Sequence, residues 1–171
     1  MASLEGRVVL GIDPSLRGTG YGVIKASRRH PTALSYGRIG CPGQWKRSRC
    51  LVLICQTLRD VIRDHKPEIC AIEGLFHAQN LQTALIMGEA RGAILATVAE
   101  AGLEIFEVAP RKMKLAIVGF GGAQKSAVAR MVQRMLQLES EPDADSADAL
   151  ALALALAQEH NPFSLTPPKS V

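Results

Sequence analysis

At 171 residues and 18.3 kDa the chain fits one domain, which can bury roughly 70% of its unfolded surface without a disulfide staple, and its four cysteines, Cys41, Cys50, Cys55 and Cys70, contain no Cys-x-x-Cys pair and read as reduced core thiols rather than a zinc site. Met1 to Gly6 has neither a basic start nor an apolar stretch, and the longest apolar run, Ala149 to Ala157, falls far short of the ~20 residues a bilayer span requires, so a soluble, cytoplasmic protein is expected. The net charge of +4 and pI near 9.0 are modest, yet the bases cluster at Arg28-Arg29-His30, Lys46-Arg47-Ser48-Arg49, Arg111-Lys112-Met113-Lys114 and around Lys125, Arg130 and Arg134, which permits a polyanion partner and equally describes solvated faces.

Val8, Val9, Leu10 and Ile12 make a continuous aliphatic run, the pattern of a strand covered on both faces. Asp13-Pro14 stops it, because proline cannot donate to a ladder. Asp13 is thereby left where a central strand opens onto solvent; an Asx-turn is the alternative use of the same residue. Thr19 to Ala26 and Ala33 to Gly40 read as short strands joined through Arg28 to Thr32, giving a three-strand antiparallel meander. Lys46 to Lys66 is an amphipathic helix with Leu51, Ile54, Leu58, Val61 and Ile62 on one face and Gln56, Arg59, Asp60 and Arg63 on the other, ended by Pro67. Pro67 to Glu73 is a fourth strand. A strand reached through a helix implies a right-handed crossover, parallel to the first strand, so Asp13 and Glu73 end on one edge.

Gly74 to Gln79 reads as a loop, and a helix follows from about Asn80 to Ala101, in which Gly88 and Gly92 either weaken the helix or let something approach closely. Leu103 to Val108 is a fifth, half-exposed strand. Pro110 opens a basic helical turn over Arg111 to Val118, Gly119 to Gly122 is a flexible link, and Ala123 to Leu138 is a helix with Val128, Met131, Val132, Met135 and Leu138 on its apolar side. In the last helix, about Asp143 to His160, Leu150, Leu152, Leu154 and Leu156 alternate like a strand, but alanine and leucine are strong helix formers, so a helix buried nearly all round is expected. The tail, 161–171 with Pro162, Pro167 and Pro168, is expected to be disordered. Together these elements predict an α/β chain with a five-stranded mixed sheet, an antiparallel meander plus parallel strands with helices on both faces, in a single domain over 1–160.

Asp145 and Asp148 are three apart and share a helix face near an N-terminus that favours negative charge; a capping pair is the alternative. Carboxylates brought together from two strand ends and this helix repel and raise one another's pKa unless cations neutralise them. Mg²⁺ suits such a set, since it binds through a few carboxylates, keeps waters and takes phosphate oxygens as further ligands. Two such ions can activate a water and stabilise the leaving oxygen of a phosphodiester.

Gly-Ile-Asp-Pro at 11–14, Thr-Gly-Tyr-Gly-Val-Ile at 19–24, Ala-Ile-Glu-Gly-Leu-Phe at 71–76, Gly-Glu-Ala-Arg-Gly at 88–92, Lys125-Ser126 and Asp-Ser-Ala-Asp-Ala-Leu-Ala at 145–151 together resemble the RuvC family of bacterial Holliday junction resolvases over nearly the whole chain. The resemblance implies an RNase H-like fold, a homodimer and metal-dependent nicking of two opposed strands of a four-way DNA junction, during recombination and repair. It implies that Asp13, Glu73, Asp145 and Asp148 are catalytic acids that hold two Mg²⁺ ions per site, with Mn²⁺ able to substitute. Lys125 and Lys114 are similar to the family's lysines that support catalysis or DNA binding, with Arg111 and Lys112 beside them; a solvated surface is the alternative, above all for Lys114. Phe76 looks like the family's base-stacking aromatic, its alternative being a staple for the next helix. By the same analogy a branch-migration helicase is a partner. His65 and His77 fit no pattern. Ser15-Leu16-Arg17 and Gly121-Gly122-Ala123-Gln124 depart from the family's usual loops and bear on loop geometry and cleavage preference.

Other classes make different demands. A nucleotide-binding protein of the actin and sugar-kinase class predicts a second phosphate hairpin and a longer chain. A P-loop over Gly119 to Ser126 fails because Gln124 stands where glycine is required. A non-catalytic junction-binding module predicts loss of an acid, and all four are present. Another RNase H-like nuclease, acting on RNA–DNA hybrids or other structured DNA, differs by substrate alone.

Overall fold

Aliphatic runs that can be covered on both faces form the middle of a sheet, and here they do. The computed structural model describes residues 4–74, 80–159 and 169–171. β1 (Val8–Asp13), β2 (Gly18–Lys25) and β3 (Thr32–Gly40) make the antiparallel meander, β4 (Ile69–Glu73) runs parallel to β1, and β5 (Glu104–Val108) parallel to β4. With β6 (Lys169–Ser170), the order across the sheet is β3-β2-β1-β4-β5-β6. The sixth strand is a correction to the expected five, and it removes Lys169 and Ser170 from the expected disordered tail: they pair with Glu107 and Phe106. Two residues carry no periodicity to read, and Pro167-Pro168 before them signals an unpaired chain.

Among the described residues five helices join these strands: α1 (Arg47–His65), α2 (Leu81–Glu100), α3 (Pro110–Val118), α4 (Lys125–Leu136) and α5 (Ala144–Glu159). Their ends follow local chemistry. α1 closes through Lys66 in the left-handed region, φ 48°, before Pro67; the Asn80 side chain caps α2 by accepting from the Thr83 N–H at 2.9 Å; and α3 has Pro110 in its first turn and Gly119, φ 81°, after its last.

The two-residue period of β1 sorts its side chains between two cores. Leu10 and Ile12 pack with Ile54 and Leu58 of α1 and Ile94 and Val98 of α2. Val9 enters the opposite core, with Met113 of α3, Val128 and Val132 of α4 and the leucines of α5. Along β4, Ile69 and Ala71 join the α5 side, Cys70 and Ile72 the other. Asp13 and Glu73 continue the α5-side rows, so alternation alone turns both acids toward α5.

α5 is buried all round as expected, and Ala149 to Leu156 are at most 2% exposed. It reaches the sheet so closely because β1 and β2 carry glycine beneath it. A Cβ on Gly11 would stand 2.0 Å from the Ala149 carbonyl oxygen, one on Gly20 2.0 Å from that of Asp145, and one on Gly22 2.8 Å from the Leu150 side chain. Gly88 and Gly92 differ: a Cβ on either meets nothing within 4 Å, so of their two expected uses, weakening the helix or admitting a close neighbour, the second finds no such neighbour among the described residues of this chain.

Candidate active site

At one edge of the sheet β1 and β4 end side by side, with Ile12 opposite Ile72, and the next residue of each strand is an acid. Asp13 and Glu73 share a hydrogen bond, which requires a proton on one of them. Burial above all, then the charge of Glu73, that hydrogen bond and the charge of Asp148, push the Asp13 carboxyl up to about 8, against the pull of Lys125. Burial also raises Glu73, helped by Asp148 and opposed by the bond from Asp13 and by Lys125 and Lys114. Two buried carboxylates this close retain a proton near neutrality unless positive charge is added.

α5 brings the other two acids, and neither is its cap. Asp143 fills that role: its Oδ1 accepts from the Ser146 N–H at 3.1 Å, its Oδ2 from the Ser146 hydroxyl, and its carbonyl from the Ala147 N–H at 2.8 Å. Burial works against its charge, yet these donors hold the Asp143 carboxyl below the usual carboxylate range. The capping alternative for Asp145 and Asp148 thus falls away, and their carboxylates face cations instead. Lys125, the first residue of α4, approaches Asp148 Oδ2 to 2.9 Å, and Arg38 of β3 donates from Nε to Asp145 Oδ2 at 2.6 Å. The hydrogen bond to Asp148 first of all, with Asp13 and Asp145 adding to it, raises the Lys125 ammonium above its ordinary value.

The four acids therefore neighbour one another but do not converge on one point. Among the described residues no three acids, histidines or cysteines are arranged to hold a metal ion. Asp13 and Glu73 face each other, Asp148 turns to Lys125, and Asp145 turns to Arg38. The physical reason is charge: without added cations, carboxylates take protons or the side-chain cations within reach. One atom is left over. Asp148 Oδ1 is buried and has no hydrogen-bond partner among the described residues.

The basic residues divide. Lys114 of α3 acts on Glu73 through its charge, while Arg111 lies against the following turn, where a Cβ on Gly121 would stand 2.7 Å from its Cγ. Lys112 is half-buried on α3. Phe76, with His77, lies outside the described residues. Two site residues have no role assigned to them from the sequence, although one of them lies within the Gly-Glu-Ala-Arg-Gly stretch at 88–92. Arg38 is one. The other is Arg91 of α2, nearly buried, which donates to Glu107 Oε2 at 2.6 Å and from Nε to the Glu73 carbonyl at 3.5 Å, so that it braces the end of β4. The turn after Asp13 is closed by Thr19, whose hydroxyl donates to the Ser15 carbonyl and accepts from the Ser15 N–H at 3.3 Å. The unusual Ser15-Leu16-Arg17 loop is thereby folded back on β2.

The model of the family "Crossover junction endodeoxyribonuclease RuvC" matches residues 9–156. A curated protein of that name from Akkermansia muciniphila is 43% identical over 130 residues, 76% of this chain and 78% of that protein. Another, from Chlorobaculum parvum, is 43% identical over 132 residues, covering 77% of this chain and 71% of the relative. Among solved structures, T. thermophilus RuvC in complex with Holliday junction substrate superposes with a TM-score of 0.88 at 30% identity, covering 96% of this chain and 99% of that one.

Proposed function

The chain belongs to the crossover junction endodeoxyribonuclease RuvC family and is a Holliday junction resolvase with an RNase H-like fold, and from that premise we propose that it acts in the cytoplasm as a homodimer nicking two opposed strands of a four-way DNA junction symmetrically, through Mg²⁺ held by Asp13, Glu73, Asp145 and Asp148. The observation that carries the metal assignment is the pairing of Asp13 with Glu73 under burial, beside Asp148 Oδ1, which is buried with no partner among the described residues. An unsatisfied buried acceptor costs about 1–3 kcal/mol. A hard divalent cation answers it and both raised carboxyls at once, so the residues present fit the ion.

When bound, a pair of such ions supplies an activated water and a counter-charge for the leaving oxygen. The remaining roles belong to side chains. Asp13 and Glu73 would hold the ions in their fully ionised form, with the proton they share released to solvent. Lys125, held at the mouth of the site by Asp148, offsets charge that develops on the phosphate; Lys114 does the same from the Glu73 side. Arg111 and Lys112 hold the DNA backbone, and Phe76 stacks on a base near the junction centre. Arg91 keeps the Glu73 backbone in place.

The test compares a four-way junction, a linear duplex and an RNA–DNA hybrid, each with Mg²⁺ and with EDTA. Cutting is expected on the junction in Mg²⁺ alone, with Mn²⁺ restoring it after EDTA. Equal cutting of the hybrid, or junction cutting in EDTA, overturns the substrate or the metal assignment respectively.

Paired nicking needs two active sites. On α2, Leu81 and Leu85 are 76% and 59% exposed, and Gly88 and Gly92 continue their row with open space above them. This face is assigned to the seam between protomers. Sedimentation is expected to show a dimer that Leu85→Asp splits without lowering the melting temperature of the monomer; a wild-type monomer on junction DNA counts against symmetric incision. A branch-migration helicase is the partner expected by analogy with the family.

A further inference from the structure

Arg38 belongs to none of the stretches on which the family likeness rests, yet it reaches the reacting edge of the molecule. It projects from β3, the outermost strand of the meander, and crosses β2 at Gly18. A Cβ on Gly18 would stand 2.6 Å from Arg38 Nη2 and 2.9 Å from Asp145 Oδ2, so glycine is what opens the passage. Arg38 Nε then donates to Asp145 Oδ2 at 2.6 Å and Nη2 to the Arg17 carbonyl at 3.2 Å. Arg17 in turn is fixed by bonds to the carbonyls of Pro42 at 2.6 Å and Trp45 at 3.0 Å. Both bonds are made by the guanidinium itself, through Nε and Nη2, and the side chain as a whole is 49% exposed.

We propose that Arg38 is an exchangeable counter-ion, paired with Asp145 in the DNA-free protein and transferred to a phosphate of the junction when divalent cations claim the acid. The inference rests on Asp145 being a metal ligand. Its logic is competition for one carboxylate. A cation that approaches Asp145 must displace the guanidinium or lie beside its charge, so the pair opposes metal loading while no polyanion is present. A phosphate removes that opposition, because the guanidinium fork keeps donors beyond the two in use and matches phosphate oxygens in a bidentate geometry. Lys125 cannot serve in the same way: its partner Asp148 is 7% exposed, and Asp13 also draws on its charge. Arg38 is therefore a positioning residue that makes cation uptake depend on substrate.

Titration of the DNA-free protein with Mn²⁺ reads the first half directly. Arg38→Met is expected to bind Mn²⁺ roughly two- to fivefold more tightly than wild type, the scale of a half-exposed ion pair, and Arg38→Lys, which keeps the charge, to stay near wild type. The second half is read by junction binding in Ca²⁺: Arg38→Met is expected to weaken binding and lower the slope of log K against log salt by about one for each phosphate that the arginine no longer neutralises. Mn²⁺ binding by Arg38→Met that is no tighter than wild type, with both variants melting normally, overturns the competition. Unchanged junction affinity and salt slope overturn the transfer to phosphate. Asp145→Asn separates the premise: if it and wild type bind Mn²⁺ equally, Asp145 is not a ligand and the premise itself is at fault, whereas if only wild type binds well and Arg38→Met matches it, the counter-ion role alone falls.

Discussion

Asp13→Asn is expected to bind a four-way junction, fail to cut it, and melt at a higher temperature than wild type in EDTA at pH 8. The first two outcomes follow from removing a ligand: metal assistance is worth several kcal/mol, and at ~1.4 kcal/mol per decade its loss slows cleavage by roughly a thousandfold or more. The third follows from the cost of the charge. Burial first, then Glu73 and Asp148, raise the Asp13 carboxyl to about 8 from an ordinary value of 3.8. Between those values the folded chain holds a proton that the unfolded chain has released, so the stability of the metal-free protein falls as pH rises through this window. Asparagine carries no charge to lose, and its amide can donate to Glu73 where Asp13 now shares a proton. The variant's advantage in EDTA is expected to be roughly 2–6 °C at pH 8 for a chain of this size and to shrink as pH falls toward 4. Mg²⁺ then reverses the order, stabilising wild type at pH 8 and leaving the variant unmoved. Full activity of Asp13→Asn in Mg²⁺ refutes the assignment, and parallel melting curves across pH refute the burial on which the stability effect depends.

Half of that site is legible in the sequence. Two apolar runs that each stop at an acid, with one helix between them, place Asp13 and Glu73 on one edge of a parallel pair, and the register bears this out, with Ile12 opposite Ile72. The period of two also decides the face. The last helix is legible for another reason: Ala and Leu outweigh the strand-like alternation of Leu150, Leu152, Leu154 and Leu156, and a helix buried on every side needs no polar stripe. The cap is not legible, because Asp143, Asp145 and Ser146 all have N-cap chemistry and only backbone geometry selects among them. Arg38 lies deeper still. Its partner is 107 residues away, and an arginine on an edge strand looks like any solvated base until the strand order and the missing Gly18 side chain are known. The β6 pairing fails for want of length, and Phe76 lies outside the described residues, so its choice between base and core stays with the proposed function.

Gly20→Ala is expected to damage catalysis more than stability, and the reason ties the fold to the chemistry. Gly20 is the cross-strand partner of Asp13, and it lies under the first turn of α5. The added Cβ would stand 2.0 Å from the Asp145 carbonyl oxygen and 2.5 Å from its carbonyl carbon. Both are backbone atoms, so no rotamer change relieves the clash, and α5 itself must lift from the sheet. Overpacking of this kind costs about 1–3 kcal/mol, which for 150–250 residues is a fall of roughly 2–12 °C in melting temperature. The helix that lifts carries Asp145 and Asp148 with it. A displacement of about 1 Å can cost a hundredfold in rate, so cleavage is expected to drop by about two orders of magnitude while a folded, junction-binding protein remains. Gly43→Ala is the matched control, since a Cβ there meets nothing within 4 Å, and it should leave both properties alone. If Gly20→Ala melts with wild type and cuts at the wild-type rate, α5 does not rest on β2, the strand paired with the one that carries Asp13. The glycines of β1 and β2 would then have no part in bringing the acids of three separate elements together.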